Sequence, residues 1–202
     1  MVEKLNQIKQ EALDNKVPIM QDDTMDFIVN YIKENNINRI LEIGTAVGYS
    51  AITMAMVNND IKIVTIERDE IRYKKAIDNI KTMNLNDRIN VIFSDALDVD
   101  INDKFDLLII DAAKGKNKEF FTKFENNLDR KMIITDNINF HGYVKEDLQN
   151  IESRNIRSLV KKIRKYIDFL NENINYKTTF YDIGDGISVS EGIDVNENNS
   201  KK

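Results

Sequence analysis

The chain has 202 residues with one proline and no cysteine, and 34 acidic against 29 basic side chains leave a formal charge of −5. Lack of cysteine excludes a disulfide framework, a thiol nucleophile and any thiolate-held zinc or iron–sulfur site. No apolar run reaches the ~18–20 residues that span a bilayer, and the acidic balance counts mildly against general nucleic-acid binding. The first 35 residues read as helices. The segment 3–15 is charged and amphipathic, without the apolar stretch of a secretory signal, which predicts a cytoplasmic protein.

Residues 39–43 read as a short buried strand ending in Glu42-Ile43. The chain then turns through Gly44 and Gly48 and enters an apolar helix over 49–57. A strand, a glycine turn and a helix start bring backbone N–H groups close to a ligand. The spacing is G-x-x-x-G rather than the G-x-G-x-x-G of dinucleotide enzymes, which disfavours an NAD-dependent dehydrogenase. Glu42 before the turn would repel a pyrophosphate but suits the ammonium of S-adenosylmethionine. A second strand over 62–67 ends in Glu67, placed to accept hydrogen bonds from ribose hydroxyls; the same residue could instead cap the helix over 69–83. A third strand, 89–93, leads to Asp95 and Ala96, which could meet an adenine ring.

The fourth strand, 105–110, ends at Asp111, and the fifth, 132–135, ends at Asp136-Asn137. Strands and helices alternate from 40 to 134, the pattern of a parallel sheet with helices on both faces. After a loop over 138–149 comes a long amphipathic helix, 153–173, with Ile156, Leu159, Val160, Ile163 and Ile167 as its core stripe. Two closing strands, 176–182 and 186–190, flank the turn Ile183-Gly184-Asp185-Gly186 and form an antiparallel hairpin. Seven strands with the last antiparallel define an α/β fold of the Rossmann-like class I methyltransferase type. A single domain over 1–190 is expected, with a disordered polar tail over 191–202.

Asp111, Asp136 and Asn137 lie just past the carboxyl ends of neighbouring strands, where such a sheet presents its site. Singly they could be a strand-end cap and an Asx turn. Together they are a hard, oxygen-only set that suits Mg²⁺ (or Mn²⁺) rather than Zn²⁺. Lys114, three residues past Asp111, is placed to act as base or electrostatic anchor, making Asp111 and Lys114 the catalytic candidates. The helix from 153 carries Arg154, Arg157, Lys161, Lys162, Arg164 and Lys165 with no acidic residue among 154–165. That stripe is either a solvated face or a track for RNA phosphates.

The stretches Glu42 to Ser50, Ile110 to Lys114, Thr135-Asp136-Asn137 and Val17-Pro18-Ile19-Met20 resemble the cation-dependent O-methyltransferase family of catechol- and caffeoyl-CoA-type enzymes. Residues 111–115, 136–142 and 183–186 are most similar to its branch of bacterial tRNA 5-hydroxyuridine methyltransferases, and the basic stretch 154–163 adds to that likeness. The resemblance covers residues 3–190. It implies that Asp111, Asp136 and Asn137 hold the metal and that Met20, Gly44, Ser50, Glu67, Asp95 and Ala96 line the cofactor site, with Asp111 touching both ligands. It also implies methylation of the wobble base in a tRNA anticodon loop and a homodimer, with the N-terminal helix a candidate for the contact. Catechol or hydroxycinnamoyl-CoA methylation is the alternative, and a non-catalytic S-adenosylmethionine- or RNA-binding module a more distant one. Lys131 departs from the family, which often has Gly-Gly before the fifth strand.

Overall fold

The computed structural model describes residues 1–112 and 114–193. Two helices come first, α1 (Val2–Asp14) and α2 (Asp22–Glu34). Asp22 and Asp23 sit in the first turn of α2, where negative charge complements the helix dipole, and Met25, Ile28 and Ile32 form its buried stripe. The sheet then begins with β1 (Arg39–Ile43), α3 (Tyr49–Ala55), β2 (Lys62–Glu67), α4 (Glu70–Thr82), β3 (Ile89–Phe93) and β4 (Phe105–Ile110). It continues with α5 (Asn117–Phe124), β5 (Leu128–Asp136), α6 (Arg154–Glu172), β6 (Tyr176–Tyr181) and β7 (Ile187–Gly192).

The strand order is β3-β2-β1-β4-β5-β7-β6. Only β7 runs against its neighbours, and the hairpin inserts it between β5 and the edge strand β6. The expected seven-stranded, mostly parallel sheet is therefore present. Side chains alternate across it: Leu107 and Ile109 of β4 join the core under α1 to α4, while Leu108 and Ile110 join the one under α5 and α6. The order reverses at β1 and β4, and a doubly wound sheet opens its ligand crevice at such a switch point. No helix among the described residues is long and apolar enough to cross a membrane.

Four expectations need correction. No helix connects β3 to β4: aspartates at 95, 98, 100 and 103 favour local turns over helix. Lys123 Nζ bonds Leu97 O at 2.6 Å and Asn127 Nδ2 bonds Ile101 O at 2.7 Å, so side chains satisfy this segment's carbonyls. β5 starts at Leu128 rather than 132, across a register shift in which Lys131 adopts φ +48. β7 reaches Gly192, so residues 191 and 192 belong to the sheet rather than to a tail; residues 194–202 lie outside the described residues. On α6 the buried residues are Val160, Ile163, Tyr166 and Leu170, while Ile156, Leu159 and Ile167 are only half-buried.

Candidate active site

The turns that leave β1, β2, β3, β4 and β5 enclose a cavity of about 340 Å³. Its floor is the glycine turn. Gly44 has φ +103, and a Cβ there would lie 2.1 Å from the carbonyl oxygen of Asp111. The turn after β4 can therefore run against the turn after β1 only because residue 44 has no side chain. Asn79 of α4 braces the same turn, donating from Nδ2 to Val47 O at 2.9 Å.

Backbone amides hold Glu67 at the cavity wall. One oxygen accepts from Ala46 N at 2.8 Å, the other from Arg68 N at 2.9 Å and Asp69 N at 2.8 Å. Asp95 accepts from Leu97 N at 3.0 Å and lies 3.5 Å from Arg68 and 3.6 Å from Lys116. That backbone bond, then the two cations, holds its carboxyl below the usual carboxylate range. Met20, Gly44, Ser50 and Ala96 also line the cavity, as do Asp111, Lys114, Asp136 and Asn137. The structure thus brings the cofactor, metal and catalytic candidates together around one space, with one exception.

Glu42 is that exception. It is fully buried and takes no part in the cavity wall, so it cannot touch a ligand's ammonium as expected. Its oxygens accept instead from Ser50 Oγ at 2.5 Å and Thr65 Oγ1 at 2.6 Å. Burial pushes its carboxyl up to about 7 against the pull of these two hydrogen bonds.

At the other end of the cavity, Asp111 and Asp136 face each other from adjacent strand ends. Burial raises both carboxyl groups. The neighbouring Asp136 and then Glu42 raise Asp111 further, and Asp185 raises Asp136, while Lys114 opposes each shift. Among the described residues no group of three His, Cys, Asp or Glu side chains converges, so a third donor has to be the Asn137 amide oxygen. A buried carboxylate, a half-buried one that repels it and an amide oxygen fit a hard divalent cation, whose charge would offset the repulsion. Lys114 Nζ donates to Asn137 Oδ1 and lies 5.5 Å from the Phe140 ring centroid.

The loop after Asn137 is unusual. Asn137, Phe140 and His141 all adopt φ between +46 and +59, a region that non-glycine residues seldom occupy without support. The support is the turn before β7: Asn139 N bonds Asp185 O at 2.8 Å, Ile138 N bonds Gly186 O at 3.0 Å, and His141 N bonds Asp185 Oδ1 at 2.5 Å. Asp185 is almost fully buried and its other oxygen has no hydrogen-bond partner. Reasoning from sequence finds the hairpin turn but no role for Asp185; an acidic residue between two glycines at a strand start is the available signal. It also passes over Thr65, though a hydroxyl amid the apolar run of β2 is a cue for a buried partner.

The basic stripe on α6 divides. Arg154, Lys161 and Lys162 are exposed, and the Lys162 chain passes over Gly115, next to Lys114. Arg157 and Arg164 are not free, which corrects their assignment to a phosphate track. Arg157 bonds the carbonyls of Ile151 and Glu152, and Arg164 those of Val144 and Glu146.

A family model described as O-methyltransferase matches residues 1–193. The chain belongs to the O-methyltransferase family. Caffeoyl-CoA O-methyltransferase of Populus kitakamiensis is 24% identical over 81% of this chain and 73% of that protein. A Staphylococcus aureus crystal structure assigned to the caffeoyl-CoA O-methyltransferases superposes with a TM-score of 0.90 at 37% identity, covering 94% of this chain and 92% of that one. An O-methyltransferase from Bacillus cereus, solved in complex with SAH, shares the fold with a TM-score of 0.81 at 24% identity, over 95% and 91% of the two chains. The site described above is thus the site of a methyltransferase.

Proposed function

We propose that this chain transfers the methyl group of S-adenosylmethionine, with Mg²⁺ or Mn²⁺, to the 5-hydroxyl of 5-hydroxyuridine at the tRNA wobble position. The observation that carries methyl transfer is the place of Asp111, which borders the cofactor cavity and also faces Asp136 beside Asn137. S-adenosylmethionine supplies an electrophilic methyl when bound. A hard cation held by Asp111, Asp136 and Asn137 would lower the pKa of a coordinated hydroxyl.

The chain's own residues align the partners. Glu67, fixed by three backbone amides, accepts from ribose hydroxyls, and Asp95 with Ala96 holds the adenine. Met20, Gly44 and Ser50 line the remainder of the cofactor space. Lys114, held against Asn137 and Phe140, stabilises the negative charge left on the acceptor as its proton departs.

Two features support an RNA acceptor. Arg154, Lys161 and Lys162 are exposed on α6 and can meet phosphates. Phe140 packs near His141 and Tyr143, with ring centroids 5.6 and 5.8 Å apart, making an aromatic rim beside Lys114 that suits an unpaired base. A hydroxycinnamoyl-CoA or catechol acceptor is the second reading, since coenzyme A phosphates would also suit Lys162. A pure binding module has no need of the Asp111–Asp136 pair. A homodimer through α1 belongs to the same proposal: Val2 and Leu13 are exposed there, and light scattering tests it.

The test offers the protein labelled S-adenosylmethionine with unmodified tRNA, 5-hydroxyuridine-containing tRNA, caffeoyl-CoA and a catechol. Label confined to the hydroxylated tRNA supports the proposal; label only in a small molecule rejects it. Replacing Lys161 and Lys162 together should flatten the salt dependence of tRNA binding, by nearly one log–log unit for each phosphate that is no longer neutralised. Unchanged salt dependence would remove α6 from the RNA interface.

A further inference from the structure

Lys114 and a divalent cation have claims on the same atom. Lys114 Nζ donates to Asn137 Oδ1, and that amide oxygen is the third donor beside Asp111 and Asp136. The contact is supported from both sides. The ammonium lies 5.5 Å from the Phe140 ring centroid, while Asn137 is fixed at φ +59 with its N–H bonded to Asp136 Oδ1 at 2.7 Å. An ammonium only donates, and an amide oxygen only accepts. A carboxylate could screen two cations from each other with its own charge, but a neutral amide cannot. Held about 4 Å apart by one shared oxygen, an ammonium and a dication repel strongly. Only one of them can use Asn137.

The charges around the corner favour exchange over sharing. The acidic groups that face Lys114 are Asp111 after β4 and Asp136 after β5, with Glu42 acting on the first and Asp185 on the second. Among the described residues Lys114 is the one basic group that acts on both carboxyl groups. Its single charge offsets half of an ionised pair. A dication offsets all of it and leaves the lysine no part in holding the pair together.

We propose that Lys114 is the built-in counter-ion of the Asp111–Asp136–Asn137 corner. It holds the Asn137 oxygen until a divalent cation takes its place, and the ammonium so released, still seated at Phe140, meets the acceptor. The inference rests on the metal reading above and adds an order to it, cation first and acceptor second. Lys114 therefore lowers the cation affinity of the site it lines. A lysine that only stabilises the acceptor predicts no change in cation affinity on its removal, and one that props Asn137 as a ligand predicts a loss. Exchange alone predicts a gain.

The experiment measures Mn²⁺ binding by calorimetry in the wild type, Lys114→Met and Lys114→Arg, with S-adenosylhomocysteine affinity as the check on folding. Lys114→Met should bind Mn²⁺ roughly ten- to a hundredfold more tightly, since a hydrogen bond to a charged group no longer has to be broken. In chelator the same variant should unfold at lower denaturant concentration than the wild type, and Mn²⁺ should raise its midpoint more. Lys114→Arg keeps the charge and should show no gain. A measurement on the wild type covers the case in which Lys114→Met does not fold. Mild reductive methylation, read by peptide mass spectrometry, should modify Lys114 faster in Mg²⁺ than in chelator. Unchanged or weaker Mn²⁺ binding in Lys114→Met, or labelling of Lys114 that is no faster in Mg²⁺, would overturn the proposal. Wild-type protein that binds S-adenosylhomocysteine but no Mn²⁺ overturns the metal reading itself and the proposal with it.

Discussion

The turns after β1 and β2 and those after β4 and β5 border one cavity, yet they are held by different means. On the β1–β2 side, Glu67 is fixed by backbone amides of its own turn and of the glycine turn beside it, and the whole wall is tied to regular secondary structure. On the β4–β5 side, the Asp136–Asn137 corner opens into a loop with left-handed residues, held by Asp185 from the far hairpin and Arg164 from α6. The first arrangement gives a pre-formed pocket for an invariant cofactor. The second leaves the Asp136–Asn137 side, the acceptor side in the proposed function, dependent on contacts from remote elements.

The largest expected effect separates the halves outright. Asp136→Ala should lower turnover by more than the roughly 10–100-fold typical of losing a group that merely supports a metal ligand. Cofactor affinity, measured by calorimetry, should stay within a few-fold because Glu67 and Asp95 are untouched. Excess chelator should mimic the variant, and Mg²⁺ should restore the wild type only. Full activity in chelator would remove the metal from the reading.

A second effect, in stability, comes from the buried carboxyl that joins the halves. Glu42 is raised from 4.5 to about 7 in the folded protein. Between those values the folded state keeps a proton that the unfolded state has lost, so stability falls as pH rises from 4.5 to 7 and flattens above. A shift of that size corresponds to about 3 kcal/mol. Asp111 and Asp136 are raised as well and steepen the fall in metal-free protein. Denaturant unfolding of Glu42→Gln in chelator should therefore show a shallower pH dependence than the wild type; equal slopes would mean that Glu42 does not hold its proton.

Next in size is Glu67→Ala, expected to weaken S-adenosylmethionine binding by about 1–3 kcal/mol if its ribose hydrogen bonds are removed. The change also leaves the amides of Ala46, Arg68 and Asp69 without their acceptor. Glu67→Gln separates the roles, since its carbonyl oxygen can replace only part of that set. Unaltered affinity in both variants, by calorimetry, would confine Glu67 to the turn.

The same contrast decides what is legible in the sequence. β2 ends in an acidic residue after an apolar run and β4 runs directly into one, so Glu67 and Asp111 can be placed from local pattern alone. Glu42 cannot: an acidic residue in a strand reads as a ligand contact, and only hydroxyls from Ser50 and from Thr65, 23 residues away, make its burial tolerable. The α6 arginines mislead for a related reason. Helical spacing places Arg157 and Arg164 on a flank, but their partners are carbonyls of the loops at 144–152, which periodicity does not encode. Asp185 lies 49 positions after Asp136, and nothing local joins them. The missing helix between β3 and β4 is within reach of sequence reasoning, because four aspartates in the segment 95–103 argue against one.

The smallest expected effect tests whether the acceptor side really hangs on α6. Arg164 donates from Nε to Val144 O at 3.0 Å and from Nη2 to Glu146 O. Both carbonyls belong to the loop that begins at Asn137, and water can replace the donors at this partly exposed place. Arg164→Met should thus cost on the order of 1 kcal/mol. It should appear as a rise in KM for the acceptor, roughly tenfold or less, with cofactor affinity unchanged. Arg164→Lys distinguishes the two possible roles of the side chain. Lysine keeps the positive charge but cannot present a planar fork to two carbonyls. If Arg164 works by bracing the loop, Lys should behave like Met; if it works by attracting phosphate, Lys should behave like the wild type at low salt. A lysine variant with wild-type KM and an unchanged salt dependence would return Arg164 to the phosphate track and leave the loop held by Asp185 alone.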